Sequence, residues 1–340
     1  MQKKLKKIVT TILDKESEHF ELLNAVRSLS DFFGSYSLIS TGMAHSDNIQ
    51  ETQHSYLSSG LAISPLDAAI CTNEYMRTTK YIRGVYEAIK DLQEKFHDEQ
   101  IHLVYAGSGP YGTLIVPLLT LFDSKRLQVT LLDIHQSSLD SVKNIINCFG
   151  LEEYISAYIQ EDATEYKITQ KTHIIITETM KAAFDNEPQV AITLNLQPQL
   201  CKEGLFIPSK VIINFELIHT EYQAHNGMLS IKNESKKMCE VMVLDSAKEL
   251  KKENLISNKN YIITEKIKEG MEPFLTTSIC VYKENTLGHN ECSLTIPKKM
   301  SYEKIFLEGD EVSFDYLFGK RSSIDWKFLI YGGDNYEKKI

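Results

Sequence analysis

A short apolar run, Ile101 to Ala106, leads straight into Gly107-Ser108-Gly109-Pro110-Tyr111-Gly112, and apolar residues at helical spacing follow from Leu114 to Phe122. A strand, a G-x-G-x-x-G turn and a helix in that order constrain the chain more than any other feature it has. Glycines in such a turn let the backbone approach a ligand closely and set a helix N-terminus beside it. The chain then repeats the alternation. Val129 to Asp133 reads as a strand, Ser138 to Phe149 as a helix, and Ile155 to Ile159 and His173 to Thr177 as further strands. Strand and helix alternating at these short spacings predict an α/β class, with a Rossmann-like, doubly wound parallel sheet.

The flanks read differently. Residues before about 95 carry helical periodicity, as in Leu5, Ile8, Ile12 and in Phe20, Leu23, Val26, with helix again from Leu66 to Leu92. A loop-like stretch from Ser35 to Ser59, rich in Ser, His and Asn, interrupts them. After Gly204 the helical period fades. Leu205–His219, Met228–Ile231, Tyr261–Lys266, Thr277–Tyr282, Glu291–Ile296, Glu311–Phe318 and Asp325–Tyr331 read as strands, with the polar tract Lys232 to Asn260 as an insertion. This is an all-β domain, a sandwich or barrel. The expected division is a helical region over 1–70, the ligand-binding domain over 71–207 and a β-barrel substrate domain over 208–340.

Lys and Arg number 37 against 46 Asp and Glu, a net charge of −9, which argues against nucleic acid as a partner and mildly favours a cationic substrate. No apolar run is long enough to span a bilayer, and the basic start MQKKLKKIVTTIL lacks a cleavage site, so no membrane partner and no export signal are expected. Six scattered cysteines without a CxxC pair fit reduced thiols in the cytoplasm, and no metal is expected.

Asp133 ends the strand after the glycine loop, where a carboxylate can accept hydrogen bonds from both ribose hydroxyls of an adenosine. That pairing does not separate NAD from S-adenosylmethionine. Glu161-Asp162-Ala163, after the third strand, resembles the segment that holds adenine in methyltransferases, and the switch to β structure is unlike a nicotinamide enzyme. Farther on, Glu178 and Glu187 stand nine residues apart in Ile174-Ile-Ile-Thr-Glu-Thr-Met-Lys-Ala-Ala-Phe-Asp-Asn-Glu-Pro188 and bracket a loop leaving the fourth strand.

Here the chain resembles the protein arginine methyltransferases, whose double-glutamate loop has the same interval. The wording Phe184-Asp185-Asn186-Glu187 is most similar to the symmetric-dimethylating branch. Met76-Arg77-Thr78-Thr79-Lys80-Tyr81 is similar to the family's Arg-Thr-x-x-Tyr segment, and Gly204-Leu205-Phe206-Ile207-Pro208 to its junction with the barrel. The resemblance covers about Pro65 to the C-terminus. It implies S-adenosylmethionine as cofactor, held by Arg77, Lys80, Tyr81, Gly107, Gly109, Gly112, Asp133, Asp162 and Ala163. It also implies a guanidinium clamp of Glu178 and Glu187. The physical sense of the clamp is direct. A guanidinium is always charged, planar and carries five donors, so two carboxylates can take bidentate hydrogen bonds and align one nitrogen with a sulfonium methyl.

The family's Thr-His-Trp loop is not intact, and His289, in Gly288-His289-Asn290, is the candidate for its catalytic histidine. The lone Trp326 reads as barrel core. The dimerisation arm usual in the family has no clear counterpart, although Lys232 to Asn260 could hold one. A homodimer built through the amphipathic N-terminal helices is the expected assembly. Similar bacterial enzymes methylate free arginine in natural-product pathways, so free L-arginine or a small arginine metabolite is the leading substrate. A protein or peptide arginine is the alternative, and a catalytically silent binding protein on the same fold is a third reading.

Overall fold

The computed structural model describes the 340-residue chain except residues 40–48, 226–227, 257–258, 302–305, 330–334 and 338–340; side chains of 222–233 and 335–337 are also outside the described set. Part of the expected loop over 35–59, and Ile330 and Tyr331 of the expected last strand, therefore fall outside it.

Two amphipathic helices open the chain, α1 (Gln2–Leu13) and α2 (His19–Gly34). α1 buries Leu5, Ile8, Val9 and Ile12, and α2, started by a Glu18–Glu21 capping box, buries Leu22, Val26, Leu29 and Phe33. Phe20 lies off that stripe and is 70% exposed. Both buried stripes join the core around α5, so the amphipathic spacing is used within the chain rather than left open for a second copy. A short helix α3 (Ile49–Thr52), the hairpin β1 (Ser55–Leu57) and β2 (Gly60–Ala62), α4 (Pro65–Cys71) and α5 (Tyr75–Lys95) follow. The helix expected from Leu66 to Leu92 is thus two helices. The Thr78 hydroxyl donates to the Thr72 carbonyl (2.9 Å), satisfying an acceptor that α4 leaves open where it stops.

Five parallel strands form the central sheet in the order β5-β4-β3-β6-β7: β3 (Ile101–Ala106), β4 (Leu127–Asp133), β5 (Ile155–Gln160), β6 (Ile174–Thr177) and β7 (Leu205–Ile207). Three helices intervene, α6 (Val116–Leu119), α7 (Gln136–Phe149) and α8 (Gln189–Leu196). α6 is much shorter than the run Leu114–Phe122 predicts, because Pro117 is tolerated only in a first turn. One face of the sheet, with Leu103, Val129 and Leu131, packs in the same core as α5 and α7. The other, with Val104, Ala106, Leu132, Ile175 and Phe206, meets Ile192 and Leu196 of α8. Burial on both faces is why the central strands β3 and β6 read as largely apolar runs, while the edge strand β5 is only partly buried. Strand order reverses between β3 and β6, which places a ligand crevice at their C-terminal ends.

After Pro208 the chain becomes antiparallel. β8 (Lys210–His225), β9 (Met228–Asp245), β11 (Glu272–Tyr282) and β12 (Asn285–Leu287) form one sheet, with β13 (Lys298–Lys299) on β11. β10 (Asn260–Ile262), β14 (Glu311–Leu317), β15 (Ser323–Leu329) and β16 (Asn335–Glu337) form the other. Phe215, Phe306, Phe314 and Phe328 fill the space enclosed by the two, and Trp326 is buried there as expected, giving a barrel-like domain.

Three further expectations need correction. The run Leu205–His219 divides at Pro208 between the parallel sheet and the barrel. The tract from Lys232 is no insertion as far as Asp245, because β9 continues through it paired with β8, burying Cys239, Val241, Met242 and Leu244 while Lys237 points out. Glu291–Ile296 is not a strand. Thr295 Oγ1 accepts from the Glu291 and Cys292 amides (3.1 and 3.2 Å) and bends Ser293–Thr295 into a 3-10 turn. Among the described residues no helix is long and apolar enough to cross a membrane.

Candidate active site

A cavity of about 640 Å³ opens over the C-terminal ends of β3, β4 and β6, walled on the barrel side by Ser293, Leu294, Ile296, Pro297 and Lys298. Of the residues singled out in the sequence, Arg77, Gly107, Gly109, Asp133, Asp162, Ala163, Glu178 and Glu187 line it. The structure brings these together from five separate segments.

The glycine loop is tied to the neighbouring strand. The Gly107 and Ser108 amides donate to the Leu132 carbonyl (2.9 and 3.2 Å) and the Gly109 amide to Asp133 Oδ2 (2.8 Å). Asp133 Oδ1 accepts from the His135 amide (2.9 Å), so the carboxylate is fixed while each oxygen keeps a lone pair for a ligand hydroxyl. Gly107 has φ +72°, and a Cβ there would stand 2.4 Å from Thr179 Cγ2. Gly112 does something else. A Cβ there would meet Val116 and Val142 at 2.7 and 2.9 Å, so this glycine permits close helix packing and does not line the cavity. Asp162 Oδ1 accepts from both the amide and the hydroxyl of Thr164 (2.8 Å each), setting the turn whose residues 161–163 face the cavity.

Arg77, in the first turn of α5, donates through Nη2 to Glu178 Oε2, and its Nη1 lies 3.8 Å from Glu74. Glu74 in turn accepts from the Ser293 amide and hydroxyl (3.0 and 2.6 Å), linking Arg77 to the barrel wall. Tyr81 is fully buried on the same helix and Lys80 is half-buried; neither lines the cavity. Burial pushes the Tyr81 phenol well up, so it stays a neutral donor.

The glutamate loop is held in an unusual shape. Ala183, Phe184 and Asn186 have φ of +56°, +52° and +65°, left-handed values that cost about 1–3 kcal/mol each without glycine. Its surroundings impose that shape. At its base the Thr179 amide and hydroxyl both donate to Gln189 Oε1 (3.0 and 3.1 Å), and the Gln189 amide donates back to the Thr179 carbonyl (3.1 Å). Farther out, the Ala183 amide donates to Thr277 Oγ1 (2.9 Å), and the Asn186 amide to the Ser322 carbonyl (2.6 Å). The Leu61 amide closes the set on the Asn186 carbonyl (2.6 Å).

The result is two differently treated carboxyls. Glu178 is paired through one oxygen, while its Oε1 is buried without a hydrogen-bonding partner. Glu187 makes no hydrogen bond or ion pair through its side chain to any described residue. Burial pushes its carboxyl up to about 7, with Asp185 adding to the rise and Arg77 and Lys181 opposing it. Glu178 therefore keeps one oxygen free for a further donor, and Glu187 keeps both. Ser108 Oγ, in the cavity wall, is likewise buried without a partner, so the site also offers an unmet hydroxyl to a polar ligand.

His289 sits in an exposed turn outside the cavity lining, and the barrel wall is instead built from 293–298, just downstream. Several contributors were not singled out in the sequence. Leu57 and Leu61 to Ile63, from the β1–β2 hairpin, cover the cavity, with Gly60 pressed against the glutamate loop: a Cβ there would stand 2.8 Å from the Asn186 carbonyl oxygen. Cys71 and Lys298 also line the cavity. A glycine flanked by Leu57 and Leu61 was the one local sign of that hairpin.

No protein-family model matches the sequence, and no curated protein matches it. Among solved structures, the chain is similar to the Trypanosoma brucei PRMT1 enzyme–prozyme heterotetrameric complex with AdoHcy. The identity is 12% and the TM-score 0.53, over 79% of this chain and 95% of that one. At that identity the likeness is one of fold alone, a Rossmann-like α/β domain followed by a barrel-like β domain.

Proposed function

We propose that this protein is an S-adenosylmethionine-dependent N-methyltransferase acting on the guanidino group of arginine, with free L-arginine or a small arginine metabolite as substrate. One observation carries the reading: Glu178 and Glu187, two carboxyls lacking a full set of partners, face the same cavity as the glycine loop and Asp133. The structure similar in fold was solved with AdoHcy, which supports the cofactor.

The donor set suits that cofactor. Asp133 would accept from the ribose hydroxyls, the backbone of Gly107 to Gly109 allows close approach, residues 161–163 border the adenine, and Arg77 offers donors to a carboxylate. When bound, S-adenosylmethionine supplies an electrophilic methyl group on a sulfonium. Glu178 Oε1 and the Glu187 carboxylate would take the guanidinium N–H groups and orient one nitrogen. A cation beside Glu187 favours its ionised form, and that carboxylate is then placed to receive the proton the methylated nitrogen must lose. Closure by the β1–β2 hairpin keeps water from screening these charges.

A homodimer belongs to the same proposal, supported by exposed Phe20, Ile49, Tyr56 and Ile70 in the N-terminal segments. Six free thiols support a cytoplasmic setting. The test is mass spectrometry of L-arginine after incubation with the protein and S-adenosylmethionine. One or two added methyl masses, located on the guanidine by fragmentation, are expected. Absence of product together with absence of cofactor binding by calorimetry overturns the enzyme reading.

A further inference from the structure

The cavity carries a charged pair that the guanidinium clamp does not use. Lys298 on β13 and Asp185 in the glutamate loop both line it, with Nζ 2.7 Å from Oδ1 and each side chain 25% exposed. The Lys298 ammonium lies 5.9 Å from the ring centre of the buried Trp326, which steadies it without neutralising it.

Asp185 stands two residues before Glu187, so their Cα atoms are at most about 7 Å apart. An arginine side chain extended from Cα to its guanidinium carbon spans about 6 Å, by ordinary bond lengths. Pair and clamp therefore lie on one short stretch of the loop and line one cavity, on the length scale of an arginine side chain. The far end of a free arginine carries an α-carboxylate and an α-ammonium, one charge for each member of the pair. Docked antiparallel to Lys298 and Asp185, that zwitterion keeps all four charges partnered, which is what a poorly hydrated rim demands. An arginine within a polypeptide brings two neutral amides to the same place.

Resting on the arginine methyltransferase reading above, we propose that Lys298 and Asp185 bind the α-carboxylate and α-ammonium of a free amino acid. They would thereby make the site selective for free arginine over arginine in a peptide. They are specificity residues and take no part in the methyl transfer.

The test uses initial rates with S-adenosylmethionine and four guanidines. L-arginine has both charges, agmatine only the ammonium, Nα-acetyl-L-arginine only the carboxylate, and Nα-acetyl-L-argininamide neither. Lys298→Gln is expected to raise KM for L-arginine and Nα-acetyl-L-arginine about tenfold or more, leaving agmatine and the argininamide within about twofold. Asp185→Asn is expected to raise KM for L-arginine and agmatine instead. A uniform loss across all four substrates would show a pair that only braces the loop, and overturns the proposal. So does a parent protein that turns over the argininamide or an arginine peptide as well as L-arginine. Methyl transfer to none of the four by a parent protein that binds the cofactor overturns the arginine reading itself, and this proposal with it.

Discussion

Replacing Glu187 with glutamine separates the chemistry of the cavity from the stability of the fold. The Glu187 carboxyl is pushed from 4.5 to about 7, chiefly by burial. In the unfolded chain it ionises near its ordinary value. Between about pH 4.5 and pH 7 the unfolded state has therefore lost a proton that the folded state still holds. Stability falls as pH rises through that window and stays lower above it. At about 1.4 kcal/mol per pH unit the full displacement is worth about 3 kcal/mol as an upper bound. Glutamine has nearly the same shape and no charge to desolvate. The variant should match the parent near about pH 4 and exceed it by about 1–3 kcal/mol near about pH 8.

His102 complicates the pH profile of either protein taken by itself. Burial pushes its imidazole down to about 4, so its contribution is complete above its ordinary value and is lost as pH falls toward 4. The two groups run in opposite directions over almost the same window, and the difference between parent and variant cancels His102. Urea denaturation near about pH 4, 6 and 8 reads that difference. In the same preparations turnover should fall at least about a hundredfold, with S-adenosylmethionine affinity unchanged. A gap that does not change with pH, or a variant less stable than the parent near about pH 8, would refute the account of Glu187 as an unpartnered buried carboxyl.

Glu178→Gln should behave differently, weakening S-adenosylmethionine binding as well as turnover, because Arg77 loses its charged partner. A stability loss of a few kcal/mol, at most about 3–5, should accompany it. Calorimetry on both glutamine variants checks this, and equal cofactor affinities would detach Arg77 from the cofactor. Gly107→Ala should cost about 1–3 kcal/mol, since its Cβ would meet Thr179 Cγ2 on a left-handed backbone. Adding Thr179→Ser removes that methyl, keeps the hydroxyl for Gln189 and should recover part of the loss in a thermal melt. No recovery would disprove the contact. His102→Asn should remove the rising contribution between about pH 4 and 6.5 and leave the fall due to Glu187, read by the same denaturation series.

The parallel sheet was legible because its central strands are buried on both faces and leave largely apolar runs such as Ile101 to Ala106 and Ile174 to Thr177. β9 was not, because Lys236, Lys237 and Glu240 interrupt its apolar residues, and a shift of register between Glu240 and Met242 buries Val241 and Met242 side by side, so no strict alternation shows. In the site, Gly107, Gly109, Asp133 and the two glutamates were readable, because backbone conformation calls for the glycines and each carboxylate follows closely on a strand or at a fixed interval in one short segment. The Thr179–Gln189 lock and the Lys298–Asp185 pair left no local trace. Each joins ordinary polar residues that only tertiary folding brings together. The histidine expected in the barrel wall failed for the same reason. The segment was found, but which of its side chains turn inward depends on the 3-10 turn after it.

One close approach decides how the molecule can move. At Gly84 the helix α5 lies so near the barrel that a Cβ would stand 2.6 Å from Val281 Cγ1 on β11. The same buried cluster runs without interruption from Leu5 on α1 to Phe328 on β15. A helix packed this closely on a strand leaves no room for a hinge between the two domains. The two parts should melt in a single cooperative transition, and a chain divided at Pro208 would expose an apolar wall on each piece. Entry to the cavity cannot come from domains swinging apart.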